Sequence, residues 1–136
     1  MTTKIRVGQG FDIHRFVEAS DNDRKLILGG VHFVNERGLV GHSDADVIAH
    51  AVTEAILGAC GLGNIGEHFP DTDPKWRNAN SLTLLASVAK MANDNKFEIG
   101  NVDCSVVCEQ PKIAPHRDEM QKKLSLAAGA AVTVKG

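Results

Sequence analysis

An aspartate and a histidine stand two residues apart in the stretch GFDIHRF, residues 10–16. In an extended backbone, residues i and i+2 lie on the same face, so we expect the side chains of Asp12 and His14 to converge on one point. A carboxylate oxygen and an imidazole nitrogen are both good ligands for Zn²⁺. Two protein ligands make a weak site, and a catalytic zinc site takes a third from elsewhere in the chain.

His50 is the candidate third ligand. It lies in the stretch HSDADVIAH, residues 42–50, about two turns into a predicted helix that Ser43 or Asp44 caps. Asp46, His50 and Glu54 are spaced i, i+4 and i+8, so they form one polar line on an otherwise apolar helix. A metal-binding His50 needs an acceptor for its second ring nitrogen, and we expect Glu54 or Asp46 to supply it.

The same three candidates also have an ordinary explanation. A D-x-H pair occurs often by chance, and a lone histidine is usually a surface residue or a core residue with a hydrogen-bond partner. Spacing alone therefore leaves two readings open for Asp12, His14 and His50: a metal site, or three unrelated polar residues.

Two stretches have residue types suited to a phosphorylated or hydroxylated ligand. His42 and Ser43 stand at the start of the predicted helix, where free N–H groups favour a phosphate. The stretch FPDTDP, residues 69–74, contains Asp71, whose carboxylate can accept from a hydroxyl group or bind a cation. Aspartate-rich turns are more often only turns, so this second signal is weak by itself.

Two other stretches offer backbone groups to a ligand. LGNIGEHF, residues 62–69, has glycines that allow a ligand to approach the backbone closely, although glycines there also serve as a helix C-cap. QPKIAPH, residues 110–116, can line a flat pocket with backbone groups. Within it, Lys112 can meet either a phosphate or water.

The composition narrows the class of protein. The chain has 136 residues, of which 43% are hydrophobic and 24% charged, which is ordinary for one globular domain. A net charge of -2 and the absence of tyrosine give no footprint for nucleic acid or an anionic membrane, so we predict neither partner. Three cysteines without a CxxC motif, and no apolar signal segment at the N-terminus, predict a cytoplasmic protein or an organellar one whose targeting segment has been removed.

Hydrophobic periodicity predicts an α+β fold, with a sheet that packs about three helices on one face. Cys104 and Cys108 fall on the apolar face of a predicted strand and are expected to be small core residues. The predicted elements are a strand at 4–10, a strand–turn–strand at 26–34, a helix from Ser43 to about Gly58, a helix from Asn80 or Ser81, a strand at 101–109, a helix ending near Gly129 and a strand at 130–135.

In order along the chain, the stretches GFDIHRF, LILGGV, GHSDADVIAH, LGNIGEHFPDTDP and NVDCSVVCEQPKIAPH closely resemble the 2-C-methyl-D-erythritol 2,4-cyclodiphosphate synthase family. The resemblance covers nearly the whole chain. It implies an enzyme of isoprenoid precursor synthesis by the non-mevalonate route, a metal-dependent phosphorus–oxygen lyase. The implied reaction cyclises 4-diphosphocytidyl-2-C-methyl-D-erythritol 2-phosphate to 2-C-methyl-D-erythritol 2,4-cyclodiphosphate and releases CMP.

The resemblance also implies an assembly and a set of site residues. The fold is expected to be ferredoxin-like and to form a homotrimer, with Zn²⁺ in each site and Mg²⁺ or Mn²⁺ on the diphosphate. The implied roles are as follows: zinc ligands Asp12, His14 and His50; phosphate contacts His42 and Ser43; erythritol hydroxyl contact Asp71; ribose contacts Asn64 and Gly66; and a cytosine pocket formed by Gln110, Pro111, Lys112, Ile113 and Ala114.

The chain departs from the family pattern at two places. The family commonly has LGDIG where this chain has LGNIG; Asn64 keeps an acceptor oxygen for the ribose, so we expect binding to survive. The family continues beyond the position of Gly136 with a Thr-Thr-x-Glu stretch and a Gly-Arg-Gly-Glu-Gly segment. We therefore expect residues 1–136 to be a single cyclodiphosphate synthase domain without that C-terminal segment, and a chain truncated there to lose activity and trimer stability.

Two rival functions fit the same residues. One is a zinc-dependent phosphohydrolase, in which water attacks phosphorus and linear phosphates are released. The other is a non-catalytic trimeric module that uses zinc for structure. The products formed from the cytidyl substrate, and the effect of metal removal on folding, discriminate among the three.

Overall fold

The structure is a computed structural model that describes residues 4–21 and 23–136. Among these residues there are four helices and four short strands, so the predicted α+β class is confirmed. The helices are α1 Val47–Cys60, α2 Ile65–His68, α3 Ser81–Asp94 and α4 Arg117–Ala128. The strands are β1 Leu26–Leu28, β2 Val31–Phe33, β3 Asn101–Ser105 and β4 Ala131–Lys135.

The four strands form two separate two-stranded sheets in the described residues. β1 and β2 are an antiparallel hairpin closed by Gly29 and Gly30, both at positive φ, as the Gly-Gly pair predicted. β3 and β4 are parallel, with Asn101 opposite Ala131 and Ser105 opposite Lys135. The connection between them is α4, as a parallel pair requires.

The core lies where α1, α3 and α4 pack against one another and against the strands. Each of these helices buries one apolar stripe, and α1 and α3 share the most extensive helix–helix contact. The residues that are no more than 1% exposed include Leu26, Val52, Leu57, Leu85, Val88, Met120 and Leu124. Three long amphipathic helices were predicted from the sequence, and α1, α3 and α4 confirm them.

The predicted strand at 4–10 is wrong: residues 4–15 form no strand with any described part of the chain. The sequence also predicted that Ile5 and Val7 face the core, but these side chains are 88% and 90% exposed. The two-residue alternation does hold from Gly8 to Phe16, where the even-numbered residues are half-buried and the odd-numbered ones exposed. Gly8 and Gly10 pack against α1, because only a residue without a Cβ allows this segment to touch the backbone of the helix.

Two smaller predictions differ from the structure, and a stretch for which no element was predicted contains two short helical turns. α1 begins at Val47 and is capped by Asp46, which accepts a hydrogen bond from the N–H of Ala49 at 3.0 Å, not by Ser43 or Asp44. The stretch 64–80, which has no apolar period, contains the single-turn α2 and a 3₁₀ turn at Pro74–Trp76. Cys108 lies beyond the end of β3 and is exposed, so it is not a core residue.

Candidate metal centre and surrounding site

The segment 8–14 reaches the site by lying directly on the backbone of α1. A Cβ on Gly8 would be 1.9 Å from the carbonyl oxygen of Ala55, and a Cβ on Gly10 would be 1.8 Å from that of Ala51. Only glycine allows so close an approach. The segment therefore runs towards the N-terminal end of α1, and the next residues on the same face are Asp12 and His14.

Asp12, His14 and His50 converge on one point beside α1. The Oδ2 atom of Asp12 is 3.1 Å from Nε2 of His14 and 3.2 Å from Nδ1 of His50. One ligand atom from each residue lies within 4.8 Å of the other two, and among the described residues no other group of three acidic, histidine or cysteine side chains does so. The structure thus brings together the three residues that the sequence singled out as candidate metal ligands.

The outer ring nitrogen of each histidine already has a partner. Nδ1–H of His14 donates to the carbonyl oxygen of Val40 at 2.5 Å. Nε2 of His50 is 2.8 Å from Oγ of Ser81 and 3.1 Å from Oγ of Ser43. Such outer contacts orient metal-binding histidines and leave the inner nitrogen free for the ion.

The predicted outer partners of His50, Asp46 and Glu54, are wrong. Asp46 is fully buried, and besides capping α1 it accepts the N–H groups of Gly29 and Gly30 at 2.9 and 2.7 Å. Glu54 accepts the N–H of Ile65 at 2.5 Å and so ties α2 to α1. Both carboxylates are engaged by backbone N–H groups, which leaves the contact with His50 to side chains from other elements.

The electrostatics of the site also suit a cation. Burial acts to raise the pKa of Asp12, but hydrogen bonds and charge attraction from His14 and His50 outweigh it and lower the pKa to about 2. The hydrogen bond to Asp12 raises the pKa of His14, against the opposing effect of burial. An ionised carboxylate oxygen and two inner imidazole nitrogens point at one another, and their lone pairs repel unless a proton or a metal ion lies between them.

Arg24 holds the loop that precedes α1. Its guanidinium donates to the carbonyl oxygens of Leu39 at 3.0 Å and Gly41 at 2.9 Å, and also to that of Ser43. A further bond reaches Oδ1 of Asn78 at 3.3 Å. One planar side chain with several N–H donors can make all of these contacts. Arg24 therefore fixes the conformation of the loop that contains Ser43.

His42 joins this loop to the stretch FPDTDP. Its Nε2 is 3.0 Å from the carbonyl oxygen of Asp73, whose own carboxylate caps the 3₁₀ turn by accepting the N–H of Lys75. Asp71 is exposed, and its carboxylate has no hydrogen bond within the described part of the chain. The carboxylate of Asp71 is therefore available to a ligand, whereas Asp73 is used in local structure.

The other predicted contacts lie on separate elements. Asn64 caps α2, because its Oδ1 accepts the N–H of Glu67 at 3.1 Å, and Gly66 is exposed within that turn. In the segment 110–114, Pro111 and Ile113 are buried and anchor it, while Gln110, Lys112 and Ala114 are exposed. A cleft of about 1730 Å³ is lined by Asp12 and His14 at one place and by Gln110 and Pro111 at another.

Sequence reasoning missed three residues that build the site: Arg24, Asp44 and Ser81. Ser81 was noticed only as a possible helix start, and Asp44 only as a possible cap. The N–H of Ser81 donates to Oδ2 of Asp44 at 3.1 Å, and its hydroxyl donates to Oδ1 of the same carboxylate. No local pattern links residue 44 with residue 81, so only the packing of α3 on α1 reveals the contact.

No helix in the described ranges combines the length and apolar character that a bilayer crossing demands.

The chain matches the model of the YgbB family over residues 5–136. It is 51% identical over 129 residues to 2-C-methyl-D-erythritol 2,4-cyclodiphosphate synthase of Enterococcus faecalis, a match that covers 95% of this chain and 80% of the relative. It also resembles a solved structure of that synthase in a CDP-bound form, with a TM-score of 0.84 and 33% identity over 95% of this chain and 85% of the other. IspF of Plasmodium falciparum in a CDP complex has a TM-score of 0.79 and 35% identity, covering 96% and 80%.

Proposed function

We propose, since the chain belongs to the YgbB family, that it is a cyclodiphosphate synthase. It converts 4-diphosphocytidyl-2-C-methyl-D-erythritol 2-phosphate to 2-C-methyl-D-erythritol 2,4-cyclodiphosphate with release of CMP, a step of isoprenoid precursor synthesis. The relative from Enterococcus faecalis has that name, and two solved structures that resemble the chain contain CDP. The observation that carries the proposal is the convergence of Asp12, His14 and His50 in a chain of this family.

These three residues are proposed to hold a Zn²⁺ ion through Oδ2 of Asp12, Nε2 of His14 and Nδ1 of His50. The donor set of one carboxylate and two imidazoles fits zinc, and three protein ligands leave a position for substrate. A bound Zn²⁺, with Mg²⁺ or Mn²⁺ on the diphosphate, would act as a Lewis acid towards the phosphoryl oxygens and offset their charge.

The chain's own residues would align the two reacting ends of the substrate. His42 and Ser43 are proposed to contact phosphate; Ser43 Oγ accepts the N–H of Ala45 at 3.3 Å, so its hydroxyl hydrogen is free to donate. Asp71, with its exposed carboxylate, would accept from an erythritol hydroxyl. Asn64 and Gly66 would contact the ribose.

The segment 110–114 would hold the cytosine. Its buried Pro111 and Ile113 fix the backbone, so Gln110, Lys112 and Ala114 present a preformed surface to the base. In the reaction an oxygen of the 2-phosphate forms a bond to the β-phosphorus, while the bond from that phosphorus to the CMP oxygen breaks. The attacking phosphate is already ionised near neutral pH, so alignment matters more than a general base.

A homotrimer is part of the proposal. Four apolar side chains on segment 4–14 are strongly exposed in the single chain: Ile5, Val7, Phe11 and Ile13. They occur at odd-numbered positions, with Gln9 between the two pairs, and Phe11 and Ile13 lie on the face that points away from α1. Exposed apolar side chains grouped in this way are typical of a subunit contact. The ferredoxin-like arrangement, a single domain over 1–136, a cytoplasmic location and the absence of nucleic-acid and membrane partners stay predictions.

Product analysis tests the proposal. The protein is incubated with the cytidyl substrate, Zn²⁺ and Mg²⁺ or Mn²⁺, and phosphorus NMR identifies the products. We expect CMP and a cyclic diphosphate, and an Asp94→Ala variant, changed only at the exposed end of α3, should form them at the same rate. Linear phosphates would indicate a phosphohydrolase. No turnover by a protein that unfolds when zinc is removed would indicate a structural module.

A further inference from the structure

Two polar side chains, the buried Ser81 and the half-buried Asp44, lie behind His50 on the side away from Asp12. Ser81, the first residue of α3, is fully buried, and its Oγ is 2.8 Å from Nε2 of His50. Asp44, in the loop before α1, contacts Ser81 through both carboxylate oxygens. The three residues therefore form one chain of hydrogen bonds that joins the loop, α3 and α1.

The direction of these bonds follows from the donors and acceptors available. A carboxylate only accepts, so the hydroxyl hydrogen of Ser81 is donated to Oδ1 of Asp44, and the backbone N–H of Ser81 is donated to Oδ2. Ser81 has no second hydroxyl hydrogen. Its Oγ can interact with His50 only as an acceptor, and Nε2 of His50 must then carry the proton.

A competing arrangement exists within the same site. The hydroxyl of Ser43, 3.1 Å from Nε2 of His50, could donate to an unprotonated Nε2. Nδ1 of His50 would then carry the proton and donate to Oδ2 of Asp12, which is 3.2 Å away. In that tautomer the nitrogen that faces Asp12 and His14 has no lone pair to offer an ion.

We infer that Asp44 and Ser81 are positioning residues that hold His50 in the Nε2–H tautomer and so keep the lone pair of Nδ1 directed at Asp12 and His14. The inference rests on the proposed metal centre. Asp44 acts on His50 through Ser81, because its carboxylate fixes the direction of the serine hydroxyl; its Oδ1 also accepts the N–H of Asp46 at 3.1 Å. Removing either group should permit the competing tautomer and weaken metal binding, with the three ligands still present.

The first test is the tautomer of His50 in the metal-free protein, read from ¹⁵N chemical shifts of the imidazole at a pH where the histidines are neutral. We expect Nε2–H in the wild type and a shift of the population towards Nδ1–H in Ser81→Ala. Asp44→Ala should shift the tautomer population in the same direction although Ser81 remains. The double variant Asp44→Ala/Ser81→Ala should show no larger shift than Ser81→Ala alone. Ser87→Ala, an exposed serine on the same helix, should behave as wild type.

The second test is the affinity for Zn²⁺ alone, measured by competition with a chelator. Loss of an outer contact typically weakens metal binding by roughly 10- to 100-fold, and we expect a loss of that size in Ser81→Ala and none in Ser87→Ala. Circular dichroism establishes whether each variant is folded. If Asp44→Ala does not fold, the tautomer and the zinc affinity of Ser81→Ala decide the test.

The outcomes separate this inference from the proposed function. A wild type that binds Zn²⁺ but carries Nδ1–H on His50, or a folded Ser81→Ala with unchanged tautomer and affinity, overturns the inference and leaves the metal centre standing. A wild type that binds no Zn²⁺ overturns the metal centre and, with it, the role assigned to Asp44 and Ser81.

Discussion

Gly10 lies against Ala51 so closely that a Cβ on residue 10 would be 1.8 Å from the carbonyl oxygen of Ala51. Asp12 follows two residues later on the same face of the segment and meets His50, one residue before Ala51 in α1. The contact between two backbones therefore sets the distance between two candidate metal ligands.

Gly10→Ala should move the segment away from α1 and separate Asp12 and His14 from His50. We expect a loss of about 1–3 kcal/mol in the free energy of unfolding, as for other overpacked sites, and a marked loss of zinc affinity. Urea unfolding and zinc titration measure the two effects. Gly100→Ala is the matched control, since a Cβ there would have no neighbour within 4 Å. Equal zinc affinity in both variants would contradict the positioning role of Gly10.

Asp71→Ala should weaken substrate positioning and leave the metal centre intact. Asp71 is exposed and distinct from the three candidate ligands, so its removal takes away an acceptor for a substrate hydroxyl without changing the zinc content. Steady-state kinetics and metal analysis of the same preparation check the two expectations. Asp94→Ala, which removes only an exposed helical ion pair, is the control. Kinetics identical to wild type would rule out the role proposed for Asp71.

Zinc affinity should fall as the pH decreases, beginning above the ordinary histidine pKa of 6.5. The hydrogen bond to Asp12 raises the pKa of His14, so a proton competes for Nε2 at a higher pH than in a free histidine. Chelator competition between about pH 8 and pH 6 measures the change. His32→Ala, which alters an exposed histidine, should retain the full pH dependence. An affinity that does not vary over this range would contradict the assignment of His14 as a ligand.

Asp46 should make the metal-free protein less stable as the pH rises. Burial raises its pKa from 3.8 to about 6. Between these values the folded protein keeps a proton that the unfolded chain has lost, so the stability contributed by the protonated group declines through that window and stays lower above it. The change is worth up to about 3 kcal/mol.

The comparison of wild type with Asp46→Asn isolates this effect, because asparagine does not titrate. Urea unfolding in the presence of a chelator, at about pH 4 and pH 7, should show the wild type losing stability relative to the variant as the pH rises. A constant difference would show that the three backbone N–H donors offset burial, and a difference that moves in favour of the wild type would show that they outweigh it; either result contradicts the prediction.

The sequence predicted those parts of the site that depend on local spacing. Asp12 and His14 share a face because they are two residues apart, and the apolar period of α1 placed His50 on a helix. The hydrogen-bond partners of His50 were predicted wrongly for the same reason: Asp46 and Glu54 are its neighbours at helical spacing, whereas Ser81 reaches it from another helix. Contacts between distant segments, including those of Arg24, have no local pattern.

Local sequence patterns also did not predict which face of segment 4–14 packs on α1. Ile5 and Val7 suggested a strand that buries its apolar face, but Gly8 and Gly10 place the glycine face on α1. A one-residue shift in such an alternating pattern exchanges the two faces, and apolar periodicity alone assigned the wrong one.

The metal content of His50→Ala tests the central claim most directly. Intact mass spectrometry verifies the chain, and elemental analysis after dialysis against Zn²⁺ gives the ratio of zinc to protein, with His32→Ala as control. We expect His32→Ala to bind zinc as the wild type does, and His50→Ala to stay folded but lose most of its zinc and turnover, because one of three protein ligands is gone. Full zinc content in His50→Ala would contradict the account.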